Sequence, residues 1–153
     1  MLEQVHEALW VAEGELVSFF GVPYPTRSVI ARLDDGYLWV WSPVKLTATL
    51  RTEVNRLGSV RHLVSPNKLH HLYLQEWKAA YPEAQLWGTQ STIKKRSDLT
   101  FREPLQDNPP LEWLGNIDQA WFRGSFAMDE IAFLHRPSAT AIFADLIQTF
   151  SDR

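Results

Sequence analysis

Apolar residues along this chain switch between two periods. From Ala8 to Phe20 and from Arg27 to Ser42 they form runs rich in β-branched and aromatic residues, such as Ser28-Val29-Ile30-Ala31-Arg32-Leu33 and Tyr37-Leu38-Trp39-Val40-Trp41, which predict strands. Asp34-Asp35-Gly36 predicts a tight turn, because Asp-Gly tolerates the positive φ that a hairpin demands. The first third therefore reads as antiparallel β.

The period then lengthens. Leu50, Val54 and Leu57 recur at helical spacing, with Thr47 as N-cap and Gly58 as stop, and Val60 to Val64 predicts a short strand. Leu69, Leu72, Tyr73, Trp77 and Ala80 form the stripe of a second helix ending before Pro82, and Ala84 to Trp87 a further strand. Thr89 to Arg96 reads as a short helix, and Asp98 to Gly115, rich in Pro, Asp and Asn, as a long loop. Strands are expected at Ile117 to Phe122, Glu130 to His135 and Thr140 to Ala144, with Asp145 to Phe150 beginning a terminal helix. No repeat or low-complexity linker interrupts this order, so residues 1–153 are expected to form one domain, a layered α/β (α+β) sandwich with strands of mixed direction.

Composition narrows the function more than the fold. With 153 residues, 45% hydrophobic and 22% charged, the chain is long and apolar enough to bury a core without disulfides. The net charge is −3 and the one dense basic cluster is Lys94-Lys95-Arg96, expected to be a solvated surface run, so no nucleic-acid surface is expected. Cysteine is absent, which excludes thiol nucleophiles and leaves His, Asp and Glu as the only strong metal ligands. The start, Met1-Leu2-Glu3-Gln4-Val5-His6-Glu7, lacks the build of a signal peptide, and no stretch approaches about 18 apolar residues, so a cytoplasmic location without membrane partners is the expectation. The seven tryptophans lie in separate, mostly apolar segments and are expected in the core and at its rim.

The run LWVWSPVKLTATLRTEVNRLGSVRHLVSPN from Leu38 to Asn67, its continuation KLHHLYLQEWKAAYPEAQLWG, the RLDDG turn and the late segment EIAFLHRPSATAIFADLIQTF resemble the family known as domain of unknown function 4336. That family is similar to a divergent branch of the metallo-β-lactamase-like hydrolases and oxidoreductases. The resemblance implies a metallo-β-lactamase-like αβ/βα sandwich, shortened at the C-terminus. Active members carry His-x-His-x-Asp-His where a strand meets a helix, with a further His and a metal-bridging Asp at the ends of later strands.

Carried onto Ser65-Pro66-Asn67-Lys68-Leu69-His70-His71, the motif's final His falls on His71, its Asp on His70, and its two leading His on Pro66 and Lys68, which offer no imidazole. His135 ends the strand IAFLH in the place of the later His, and Asp145 ends TAIFAD in the place of the bridging Asp. The chain stops eight residues after Asp145, so the last superfamily His is expected to be missing. The implied metal set is His71, His135 and Asp145 with His70 as a fourth candidate. It would hold one divalent ion, zinc first and iron or manganese as alternatives, with none if the site is lost. Such an ion lowers the pKa of bound water and polarises a carbonyl or phosphoryl oxygen, with Asp145 both ligand and catalytic base.

Other readings stand beside this one. His70 and His71 also suit ordinary positions at a helix start, His135 suits a hydrogen bond within the turn that contains Ser138, and Asp145 suits a helix N-cap. Lys68 either repels a cation or binds an anionic substrate. His6 and His62 read as surface residues. Two functions follow: a mononuclear metal-dependent hydrolase of a small ester, lactone or phosphoester, or a non-catalytic binding or scaffold module that has lost the binuclear site. Homodimerisation through exposed tryptophans or a free sheet edge is compatible with either.

Overall fold

The chain opens as a meander. In the computed structural model, which describes residues 2–19, 22–123 and 129–144, strands β1 (Leu2–His6), β2 (Leu9–Phe19), β3 (Val22–Arg32) and β4 (Leu38–Trp41) pair antiparallel in chain order. Strand β1 was not expected from sequence, and its burial explains why: Glu3, Gln4 and Val5 are exposed at the sheet edge, so no apolar alternation marks it.

From β4 onward helices return the chain and the sheet turns parallel. Helix α1 (Ala48–Leu57) leads to β5 (Val60–Ser65), and α2 (Leu74–Ala80) leads to β6 (Gln85–Gly88), completing one six-stranded sheet in the order β1-β2-β3-β4-β5-β6. Thr47 caps α1 as expected, its Oγ1 accepting from Leu50 N at 3.1 Å. Gly58 ends it where a Cβ would lie 2.7 Å from the carbonyl oxygen of Gly36, so the crossover can pass the β3–β4 turn only without a side chain.

The second helix begins later than its apolar stripe suggests. Residues 67–70 form a turn in which Asn67 Oδ1 accepts from Leu69 N at 2.8 Å and Asn67 O accepts from His70 N at 3.2 Å, and residues 72–73 turn again before the helix. Leu72 is therefore 54% exposed, and the buried contacts of α2 are Leu74 and Trp77, whose indole donates to Val44 O at 2.6 Å.

After α3 (Gln90–Lys95) and a long loop, β7 (Ile117–Phe122), β8 (Glu130–His135) and β9 (Thr140–Ile142) make an antiparallel three-stranded sheet. The expected terminal helix from Asp145 lies outside the described residues.

Two apolar layers hold these elements. One, with Val40, Leu50, Val54, Leu63, Leu74, Trp77 and Leu86, packs α1 and α2 onto the large sheet. The other, with Trp39, Trp41, Val64, Trp87, Trp113, Ile131 and Phe133, lies between the sheets. Trp113 sits edge-on to both Trp87 and Trp39, with ring centroids at 4.8 and 6.0 Å, and such pairs add about 0.5–1.5 kcal/mol each beyond the area they bury. Of the tryptophans, Trp10, Trp39, Trp41, Trp77, Trp87 and Trp113 are buried and Trp121 half-buried, as packing residues should be.

His62 belongs to this core, contrary to the surface position expected for it. It is 3% exposed, its Nδ1 accepts from the Trp87 indole at 3.1 Å, and the edge of one ring meets the face of the other at Trp113, 5.4 Å away. Among the described residues no helix is long and apolar enough to cross a membrane.

Candidate functional site

The loop that follows β5 carries the residues aligned with the superfamily's metal motif, and buried hydrogen bonds fasten it in place. Pro66 O accepts from Ile131 N at 2.9 Å, which sets the loop against the first residues of β8. Asn67 Nδ2 donates to Glu130 Oε1 at 3.0 Å, and Glu130 Oε2 accepts from Ala144 N at 2.7 Å. Ser65 Oγ donates to Asn67 O at 2.9 Å. Ser65, Asn67 and Glu130 are all essentially inaccessible, so a polar knot occupies the ground between loop and second sheet.

His71 is buried at this edge, but its coordinating nitrogen is engaged. Arg96 Nη1 lies 3.3 Å from His71 Nδ1 and also donates to His71 O at 3.1 Å. A guanidinium can only donate, so Nδ1 accepts and the proton of the neutral ring sits on Nε2. Burial lowers the pKa of His71 from 6.5 to about 4, with Lys95 and Arg96 adding to the shift. Asp98 pairs with Arg96 at 2.8 Å and holds it there. Arg96 therefore departs from the solvated run expected for it, whereas Lys94 and Lys95 are exposed as expected.

His70 faces a different partner. Its Nδ1 is 2.8 Å from Ser42 Oγ at the end of β4, and its ring is tilted against Trp41 at 6.1 Å. Lys68, on the position of a leading His, is half-buried, and its carbonyl accepts from Lys95 Nζ at 3.3 Å.

His135 lies at the opposite edge of the sandwich. Strand β8 meets the loop at Glu130 and Ile131, and His135 is five residues further on, about 16 Å away at about 3.3 Å per residue. Its neighbours are the His6 ring at 6.0 Å and Ser138 Oγ at 2.7 Å, beside Asn116, whose Oδ1 accepts from Asp34 N in the β3–β4 turn. Burial, and then the nearby His6, lower its pKa. The hydrogen bond within the Ser138 turn thus describes its surroundings, and the structure does not bring His135 to His71 or His70. Asp145 lies outside the described residues, so its part in a site is not defined. Among the described residues, no three His, Asp or Glu side chains gather closely enough to hold a metal ion.

The residues present at this edge do not fit a divalent cation. Two of the motif positions are Pro66 and Lys68, a third has its lone pair turned to Arg96, and Lys68, Lys95 and Arg96 make the surroundings positive. Sequence reasoning did not find Ser42, Asn67 or Glu130. Asn67 stood inside the aligned loop, whereas nothing local distinguishes Glu130 from other strand residues.

The two sheets and the helices packed on the larger one define a metallo-β-lactamase-like fold. The crystal structure of DIM-1 metallo-β-lactamase exposed to ceftazidime superimposes with a TM-score of 0.68 at 16% identity, over 90% of this chain and 66% of that one. The metallo-β-lactamase from Hirschia baltica gives 0.63 at 12% identity, over 90% and 67%. That from Pontibacter korlensis gives 0.63 at 14%, again over 90% and 67%. This chain thus spans about two thirds of the length of these enzymes, and identities at this level carry the fold alone. The chain itself belongs to the family described as Domain of unknown function (DUF4336), whose model matches residues 6–153. No curated protein matches it.

Proposed function

We propose that this domain works without a resident metal ion, as a module that binds a small anionic ligand at the edge formed by residues 66–71 and α3. The observation that carries this reading is the contact of Arg96 Nη1 with His71 Nδ1 at 3.3 Å. It occupies the lone pair a metal needs and puts a permanent positive charge beside it. Lys95 Nζ donates to the backbone carbonyl of Lys68 at 3.3 Å, which sets its ammonium group beside the loop, and Lys68 adds a second cation to that loop, a charge pattern suited to a phosphate or carboxylate.

Elemental analysis of chelator-free protein, with calorimetric titration of inorganic phosphate, tests this. The expected result is less than roughly 0.2 metal per chain, well short of the single ion of a one-metal site. Phosphate binding should be weakened in Lys68→Ala and Lys95→Ala. Close to one zinc per chain, lost in His71→Ala, would overturn the reading. It would favour instead the mononuclear metal-dependent hydrolase of a small ester, lactone or phosphoester, with Asp145 supplying the missing carboxylate.

A further inference from the structure

Beside the loop, Ser42 closes β4 in an unusual backbone state. Its φ is +52°, in the left-handed region that residues with a Cβ avoid, and among the described non-glycine residues only Ala139 shares a positive φ. The turn aims a buried hydroxyl at His70 Nδ1, 2.8 Å away. Ser42, His70, Thr26, Pro43, Leu69 and Tyr73 border a small, mainly apolar cavity of about 40 Å³. Trp41, the preceding residue, is 5% exposed, and its indole N–H has no hydrogen-bond partner among the described residues. A buried donor without an acceptor is costly, and the ring that carries it lies tilted against His70 at 6.1 Å.

A second serine–histidine pair in the same molecule shows what a purely structural one looks like. Ser138 Oγ donates to Thr140 Oγ1 at 2.7 Å, so it accepts from His135 Nδ1, and the arrangement stitches a turn. Ser42 Oγ has no other acceptor among the described residues, so with His70 in its Nε2–H tautomer the hydroxyl proton is directed at Nδ1. That is the polarity of a nucleophile and its base.

We propose that Ser42 and His70 are a metal-free catalytic pair that cleaves esters of small carboxylic acids, of acetyl size to suit the cavity. This inference rests on the metal-free reading above but does not use the anion site. Ser42 Oγ attacks the carbonyl carbon while its proton passes to His70 Nδ1. The bond from that carbon to the alcohol oxygen breaks, and the departing oxygen takes the proton from His70. Water then attacks the acyl-serine, losing its proton to His70, and Ser42 Oγ leaves as a hydroxyl by taking that proton back. Ester and water become acid and alcohol, and nothing is oxidised or reduced. Pro43 follows Ser42 and has no N–H, so the usual donor after the nucleophile is absent and the pair works without that stabilisation of the developing oxyanion.

The test is mass spectrometry of the whole chain treated with p-nitrophenyl acetate or a fluorophosphonate, with and without EDTA, and with metal content measured on the same sample. We expect one adduct per chain, mapped to Ser42 and indifferent to EDTA. It should be absent in Ser42→Gly, a variant that relieves the positive φ and so keeps the fold, and formed about 10²-fold more slowly in His70→Gln. No adduct in folded protein, an adduct on another residue, or an unchanged rate in His70→Gln overturns the proposal. Labelling of Ser42 in protein that carries stoichiometric zinc supports the pair and overturns the metal-free reading. Hydrolysis that EDTA abolishes, with Ser42 unlabelled, overturns both.

Discussion

The side-chain amide of Asn67 donates to Glu130 Oε1 at 3.0 Å, between residues that are 0% and 1% exposed, and so ties the loop after β5 to the first strand residue of β8. Because Glu130 also accepts from Ala144 N, one carboxyl group holds three segments together. Glu130→Ala should destabilise the fold by about 1–3 kcal/mol for each buried donor deprived of it, and Glu130→Gln by less, since one oxygen remains. Urea unfolding of both variants checks the order, and equal stability of Glu130→Ala and the parent would contradict it.

Acid should weaken this protein well before its carboxylates titrate. His62 and His71 both have pKa values lowered from 6.5 to about 4, burial being the main cause in each. The unfolded chain binds these protons near pH 6.5 but the folded chain only near pH 4. Their contribution is therefore complete above pH 6.5 and is lost as pH falls from 6.5 towards 4. Urea midpoints at pH 7.5, 6, 5 and 4 should fall steadily below the second of these, and a flat series would count against it.

His62→Phe separates the two histidines. The Trp87 indole N–H loses its acceptor, so stability at neutral pH should drop by about 1–3 kcal/mol, while the acid slope becomes shallower. A neutral-pH loss with an unchanged slope would mean that His62 is not among the groups titrating.

Arg96→Ala should raise the pKa of His71. The change takes away both a positive charge and a donor to Nδ1, leaving burial and Lys95 to hold the value below 6.5. Long-range proton–nitrogen spectra of the imidazole follow this directly. They should also show the Nε2–H tautomer in the parent protein, and an Nδ1–H tautomer would undo the assignment.

Gly58→Ala should cost more than the conformational penalty of a surface glycine. The new Cβ would sit 2.7 Å from Gly36 O, a backbone atom that cannot swing aside. Gly36→Ala is a useful contrast, because nothing lies within 4 Å of a Cβ there and only its φ of +88° resists. Thermal melts should place Gly58→Ala lower.

Much of the architecture was legible along the chain because local periodicity records which face of an element is buried. Strands β7 and β8 begin and end where their apolar runs do, and α1 is bounded by the Thr47 side-chain cap and by Gly58, which carries no side chain. The misses share a cause. The residues of β1 are largely exposed, so it left no apolar pattern. The stripe from Leu69 to Ala80 predicts one helix because spacing cannot register that Asn67 draws Leu69 and His70 into a turn. His62 looked like a surface residue because nothing near it in sequence announces Trp87 and Trp113.

The amino-acid sequence by itself determined most of the elements, their order and the absence of thiol chemistry, since each of these is written in residue type and local spacing. Which histidine meets which partner was decided only by the tertiary structure. His71 follows β5 and His135 ends β8, but the edge each reaches depends on the direction in which its strand crosses the sandwich. Strand β8 starts at the loop's edge and carries His135 away from it, while Arg96, from the end of a separate helix, arrives at His71. Contacts between residues so far apart in sequence arise from packing, and no local pattern encodes them.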